Sequence, residues 1–136
     1  MALTQLSALD LLKHYRNKSL SPVEVVQSLF DVIHSVNPAL NAFVTLNEDN
    51  ALAFAKKAEA RIMKGETLRP LEGVPIAIKD LTHTKGLRTT FGSPLFKDNV
   101  PDRDSTVVHR LKAAGAIIMG KTNTPEFGYK GTTDNP

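Results

Sequence analysis

The sequence contains no cysteine, which excludes a disulfide framework, a thiolate metal site and a cysteine nucleophile. No apolar run approaches the ~18 residues that a membrane-spanning helix needs. The opening MALTQLSALD lacks the basic and apolar stretches of a secretion signal. No block of like charge occurs either. The net charge of +3 comes from 17 Lys+Arg against 14 Asp+Glu, scattered as at Lys56-Lys57, Lys97 and Lys112. Charge spread in this way makes no nucleic-acid-binding stripe. Repeats, low-complexity tracts and a dividing linker are all missing. What is left is an ordinary globular composition, 41% apolar and 23% charged over 136 residues. That is enough for one domain with a buried core. The expectation from these absences is a soluble cytoplasmic protein.

The first third reads as helices. Ser7 and Asp10 have capping-box spacing, flanked by Leu6 and Leu11 as a hydrophobic staple, and predict a helix over 8–16. Ser21-Pro22-Val23-Glu24 is a stronger start: a Ser cap, Pro in the first turn, and Glu placed to reach back. Val25, Val26, Leu29, Phe30 and Ile33 then recur at helical spacing until Asn37-Pro38, which predicts a helix over 22–36. Phe43-Val44-Thr45 is a short extended piece at most. Asn47 is placed to cap a helix over 48–64 with a small face of Ala51, Ala55, Ala58 and Ile62, ended by Gly65.

After Pro70 the period changes. Val74, Ile76 and Ile78 alternate with Pro75, Ala77 and Lys79, which predicts a strand over 74–79. A Thr-rich loop fills 81–91. Asp104 or Ser105 caps a helix over 105–114 ended by Gly115, and the fully apolar Ala116-Ile117-Ile118-Met119 follows as a strand over 116–120. A strand apolar on both faces belongs in a sheet covered by helices on each side. The strand–loop–helix–strand order predicts parallel strands in one sheet with a right-handed crossover.

Several patterns have plain structural readings. Gly115 to Thr122 satisfies the phosphate-loop pattern G-x4-G-K-T. Its middle residues are themselves the apolar strand, with a helix before and Pro125 after, so no phosphate cradle is expected and Lys121 is structural or solvent-facing. Asn17-Lys18-Ser19 reads as an inter-helix turn. His14, His34, His83 and His109 lack paired metal spacing, and Asp98, Asp102 and Asp104 are read as helix-capping residues. No serine sits in a nucleophile elbow. Lys79 is the exception. It closes an apolar strand at the carboxyl edge of a sheet, where ligand crevices of open α/β sheets lie. A lysine desolvated there serves as a base; a strand-end lysine that reaches out to solvent is the other reading.

Longer segments carry a resemblance. Gly73-Val74-Pro75-Ile76-Ala77-Ile78-Lys79-Asp80, Thr89-Thr90-Phe91-Gly92-Ser93-Pro94 and Val100-Pro101-Asp102-Arg103-Asp104-Ser105-Thr106-Val107-Val108 resemble the amidase signature family. So do Leu111 to Asn123, Pro125-Glu126-Phe127 and Gly131-Thr132-Thr133-Asp134-Asn135-Pro136, with Leu20 to Glu24 and Asn37 to Phe43 near the start. The resemblance runs in order through essentially the whole chain. It implies hydrolysis of a small-molecule amide through an acyl-serine, with neither metal nor organic cofactor. It implies a Ser–cis-Ser–Lys triad in which Lys79 is the base acting through the cis serine. In the family both serines lie downstream of the motif that ends at Pro136. The expectation is therefore an N-terminal portion of such an enzyme, inert by itself, with its substrate pocket unassigned.

The resemblance implies an α/β fold: an N-terminal helical lobe, then the first strands of an α/β/α mixed sheet. All of 1–136 belongs to one domain on this reading, with the lobe over about 1–68 and the core from about 69–136. An incomplete sheet leaves an open edge, so self-association is expected, and no membrane partner. An alternative within the family is the amidase subunit of a glutamyl-tRNA amidotransferase, the one case in which a nucleic-acid partner is expected. Outside it stands a non-catalytic module that only binds or oligomerises.

Overall fold

The computed structural model describes residues 3–133; Asp134-Asn135-Pro136, the end of the last resembling motif, lies outside the described residues. Four helices and three strands follow in the order α1 (Ala8–Arg16), α2 (Pro22–Leu40), β1 (Phe43–Leu46), α3 (Glu48–Met63), β2 (Pro75–Lys79), α4 (Thr106–Ala113) and β3 (Ile117–Thr122). Short 3-10 turns lie at Leu3–Gln5, Pro94–Phe96 and Glu126–Gly128.

Local capping chemistry sets most helix ends. The Ser7 hydroxyl accepts from the Asp10 amide at the start of α1, and Leu6 packs into the same cluster as Leu11. At α2 the Ser21 amide donates to Glu24 Oε2 at 3.0 Å, closing the capping box. The predicted stop at Asn37-Pro38 does not hold. Pro38 sits in the last turn of α2, which runs on to Leu40 and ends at Asn41 in the left-handed conformation, φ 49°. The Asn37 carbonyl takes the Asn41 amide at 2.7 Å, so the turn closes despite the proline's missing N–H.

Two other capping expectations also change. Asn47 precedes α3 but makes no side-chain cap; its amide group donates instead to the Ile118 carbonyl at 2.9 Å, across to β3. Asp104 does not cap α4, a task left to Ser105. Its carboxylate accepts from the Lys85 amide at 2.7 Å and from Lys112 Nζ at 2.8 and 2.9 Å, tying the 84–87 turn to the helix.

The sheet has strand order β1-β3-β2, with β2 and β3 parallel as predicted and β1 antiparallel to β3. Bulges break the register between Ile76 and Ala77 against β3 and between Phe43 and Thr45 in β1. β3 is central and buried on both faces. Ile117 and Met119 pack with Val26, Phe30, Ala51 and Ala55 of α2 and α3, while Ile118 packs with Ile78, Leu87 and Val108 on the α4 side. The result is a helix–sheet–helix sandwich, an incomplete α/β fold. A third cluster of Leu11, Tyr15, Val25 and Ile62 joins α1 to the helical layer.

Edges of this small sheet are treated unequally. The Asn37 side chain bonds both the amide and the carbonyl of Phe43, at 2.8 and 3.0 Å. Arg88 donates to the Val44 carbonyl at 2.7 Å, and the Asn47 amide to the Met119 carbonyl at 2.9 Å. Among the described residues no side chain bonds the backbone of β2.

Candidate active site

Lys79 is the last residue of β2, with Thr122 as its partner in β3. It alternates with buried Ile78, and its side chain is exposed. These residues therefore place the amine at the carboxyl edge of the sheet without desolvating it. No serine of the described chain bonds it. Ser93 is buried and donates to Glu126 Oε1 at 2.6 Å, and Ser105 caps α4. Lys79 lines none of the four main cavities. The largest, about 490 Å³, lies between α3 and the 84–87 turn, with Lys57, Arg61, Arg69, Lys85 and Lys112 around it. Among the described residues no three His, Asp or Glu side chains converge to hold a metal ion.

The backbone just beyond Lys79 is held closely. The Lys79 carbonyl accepts the Thr82 amide at 3.0 Å, and the Asp80 amide donates to the Thr122 carbonyl at 3.0 Å, one step past the strand. Asp80 is 1% exposed; its carboxylate accepts from the Thr90 amide and hydroxyl, and its carbonyl accepts the Phe91 amide. Beside this turn Phe91, Phe96 and Phe127 form an aromatic cluster, with ring centroids 5.1 to 6.4 Å apart. Phe91 and Phe127 both adopt positive φ, 55° and 50°, a costly conformation for a bulky residue.

The residue that the sequence reading undervalued is Lys121. It is fully buried, not solvent-facing, and its ammonium donates to the Thr82 carbonyl, to Thr84 Oγ1 at 3.2 Å and to Thr89 Oγ1 at 2.8 Å. Asp80 Oδ1 stands 3.9 Å away. Burial pushes its pKa down to about 8, partly offset by the Asp80 charge, so the group is mostly protonated at neutral pH. The threonines of the 81–91 loop were the available signal, because β3 is buried along its length and its bulge opposite Ile76 and Ala77 breaks the alternation that would have marked Lys121. The phosphate-loop pattern falls away here: Ile117 to Thr122 is a strand paired on both sides by β1 and β2, not a turn of free backbone donors.

The amidase family model matches residues 24–136. The chain belongs to the amidase family. Over 135 residues it is 42% identical to a glutamyl-tRNA(Gln) amidotransferase subunit of Carboxydothermus hydrogenoformans, covering 99% of this chain and 28% of that one. It is likewise 42% identical to the acylamidase of Rhodococcus erythropolis, covering 96% of this chain and 27% of that one. The solved structure of a bacterial aryl acylamidase of the amidase signature enzymes superimposes with a TM-score of 0.88 at 36% identity, covering 95% of this chain and 27% of that one. The chain thus spans between a quarter and a third of the length of these amidase relatives. Among the described residues no helix is long and apolar enough to cross a membrane.

Proposed function

We propose that this chain carries the general base of an amide-hydrolysing acyl-transfer site, and that Lys79 is that base. One observation supports the reading most: an amine at the carboxyl end of a parallel strand, exposed at the sheet edge, on a backbone fixed immediately behind it. As neutral amine it takes the proton of a serine hydroxyl through a second serine. The activated oxygen adds to the amide carbonyl, the C–N bond breaks as the leaving nitrogen is protonated, and water releases the acid. The serines come from a segment outside these 136 residues, which therefore give no turnover by themselves. Transfer of the amide nitrogen in an amidotransferase uses the same lysine. Identity to the acylamidase and to the amidotransferase relative is the same 42%, so the substrate is kept as a carboxamide of unspecified acyl group. The lobe and the sheet belong to one domain, and the chain alone self-associates through the uncovered edge of β2.

The test is a chimera in which this chain replaces the matching 130 residues of the Rhodococcus acylamidase. Aryl amide turnover is expected in the chimera and is expected to fall to the background level in its Lys79→Ala form. Because the side chain is exposed in the chain itself, Lys79→Ala there leaves the melting temperature nearly unchanged. A Lys79→Ala chimera with near-original turnover removes Lys79 from the mechanism.

A further inference from the structure

A buried ammonium is an expensive way to fill a core position, since an apolar residue of similar volume serves packing as well or better. All three bonds of Lys121 are directed at one target. They reach Thr82, Thr84 and Thr89, the loop that leaves the end of β2, and none goes to the helices packed on the sheet. The network is complete. Each threonine that accepts from the ammonium passes its own proton on, Thr84 to the Thr82 carbonyl at 3.2 Å and Thr89 to the Leu87 carbonyl at 3.0 Å. The link to Lys79 is short: the Lys79 carbonyl accepts the Thr82 amide, and the Thr82 carbonyl accepts Lys121. Asp80 closes the other side by holding Thr90 and Phe91.

We infer that Lys121 is a positioning residue for Lys79: from the neighbouring strand its ammonium clamps the 82–89 loop and, with Asp80, sets the direction in which the chain leaves the carboxyl end of β2. The inference rests on the reading of Lys79 as base. Lys121 touches no substrate; it acts through backbone, by keeping the turn after the base from swinging.

Two measurements test it, both on Lys121→Met, which keeps length and removes the three donors. In the 136-residue chain, hydrogen exchange of the Thr82, Thr89, Thr90 and Phe91 amides is expected to quicken about tenfold or more, while Val26 and Phe30 in α2 stay unchanged. Thr89→Val, which removes one acceptor, is expected to quicken the same set roughly threefold and covers the case in which Lys121→Met fails to fold. In the acylamidase chimera, kcat is expected to fall about 100-fold in Lys121→Met with KM nearly constant. Exchange that rises uniformly, or not at all, in both variants overturns the clamp. Turnover lost in Lys79→Ala but intact in Lys121→Met overturns the positioning role alone, whereas turnover that survives Lys79→Ala removes both readings.

Discussion

Gly120→Ala is the sharpest test of how the sheet is built. Leu46 of β1 lies opposite Gly120 in the antiparallel register. A methyl group on Gly120 would sit inside the contact distance of the Thr45 carbonyl oxygen, and 3.2 Å from both Leu46 Cα and Phe43 Cδ1. Two of these three atoms are backbone, the nearest among them, so moving the Phe43 ring aside would not relieve the clash. Either β1 withdraws or β3 bends. Overpacking of this kind costs about 1–3 kcal/mol, and each ladder bond lost adds about 1 kcal/mol. With Phe43 and Leu46 also pulled from the α2–α3 cluster, a loss of about 3 kcal/mol is expected. For a chain of this size the urea midpoint then falls by about 1.5 M. Gly131→Ala, whose methyl group meets nothing within 4 Å, is the control and leaves the midpoint in place. Equal midpoints for Gly120→Ala and the unsubstituted chain would refute the β1–β3 pairing. Tight binding of MgATP lost in Gly120→Ala, with stability unchanged, would refute the strand reading of the G-x4-G-K-T pattern as well.

Two further outcomes concern ionisation. Lys121 titrates near pH 8 in the fold against 10.5 in the unfolded chain, so between those values the unfolded chain binds more protons. Stability conferred through this group thus rises with pH across that window, by roughly 3 kcal/mol at most. The gap between the urea midpoints of the unsubstituted chain and Lys121→Met should shift in favour of the former from pH 7 to pH 10, and a constant gap contradicts this. Glu72 is fully buried; burial pushes its carboxyl up, but the hydrogen bonds and charge of Arg69, with Arg61 behind, hold it below the usual range. Its contribution is present above the ordinary glutamate pKa and is lost as pH falls through the lowered value. Glu72→Gln should cost about 3 kcal/mol at pH 7 and flatten the acid limb of the melting curve, and an unaltered acid limb would rule this out.

Features written in adjacent residues were legible before any coordinates. Ser7, Ser21-Pro22-Glu24, Ser105, Gly65 and Gly115 are local signals, and the helices they bound lie where those residues place them. The small face of α3 is buried as its spacing indicates. Long-range partners were not legible. β1 is four residues without clear alternation and is a strand because β3 and the Asn37 side chain take up its backbone groups. Asn47 has the identity of a cap, but the carbonyl it meets is 71 residues away. Lys121 reads as a surface charge until a loop some 35 residues earlier supplies its threonines. At the candidate site Lys79 was marked by its place at the strand end, whereas the buried Lys121–Asp80 pair depended on the two strands lying side by side.

The unequal sheet edges have a consequence for how a further strand could pair with this sheet. Asparagine and arginine side chains have already taken the backbone groups through which a newcomer would add next to β1 or below it on β3. The edge left open is that of β2. A strand that added along β2, in either direction, would pass beside Lys79 at the end of that strand. The act of completing the sheet would then be the same act that walls in the lysine.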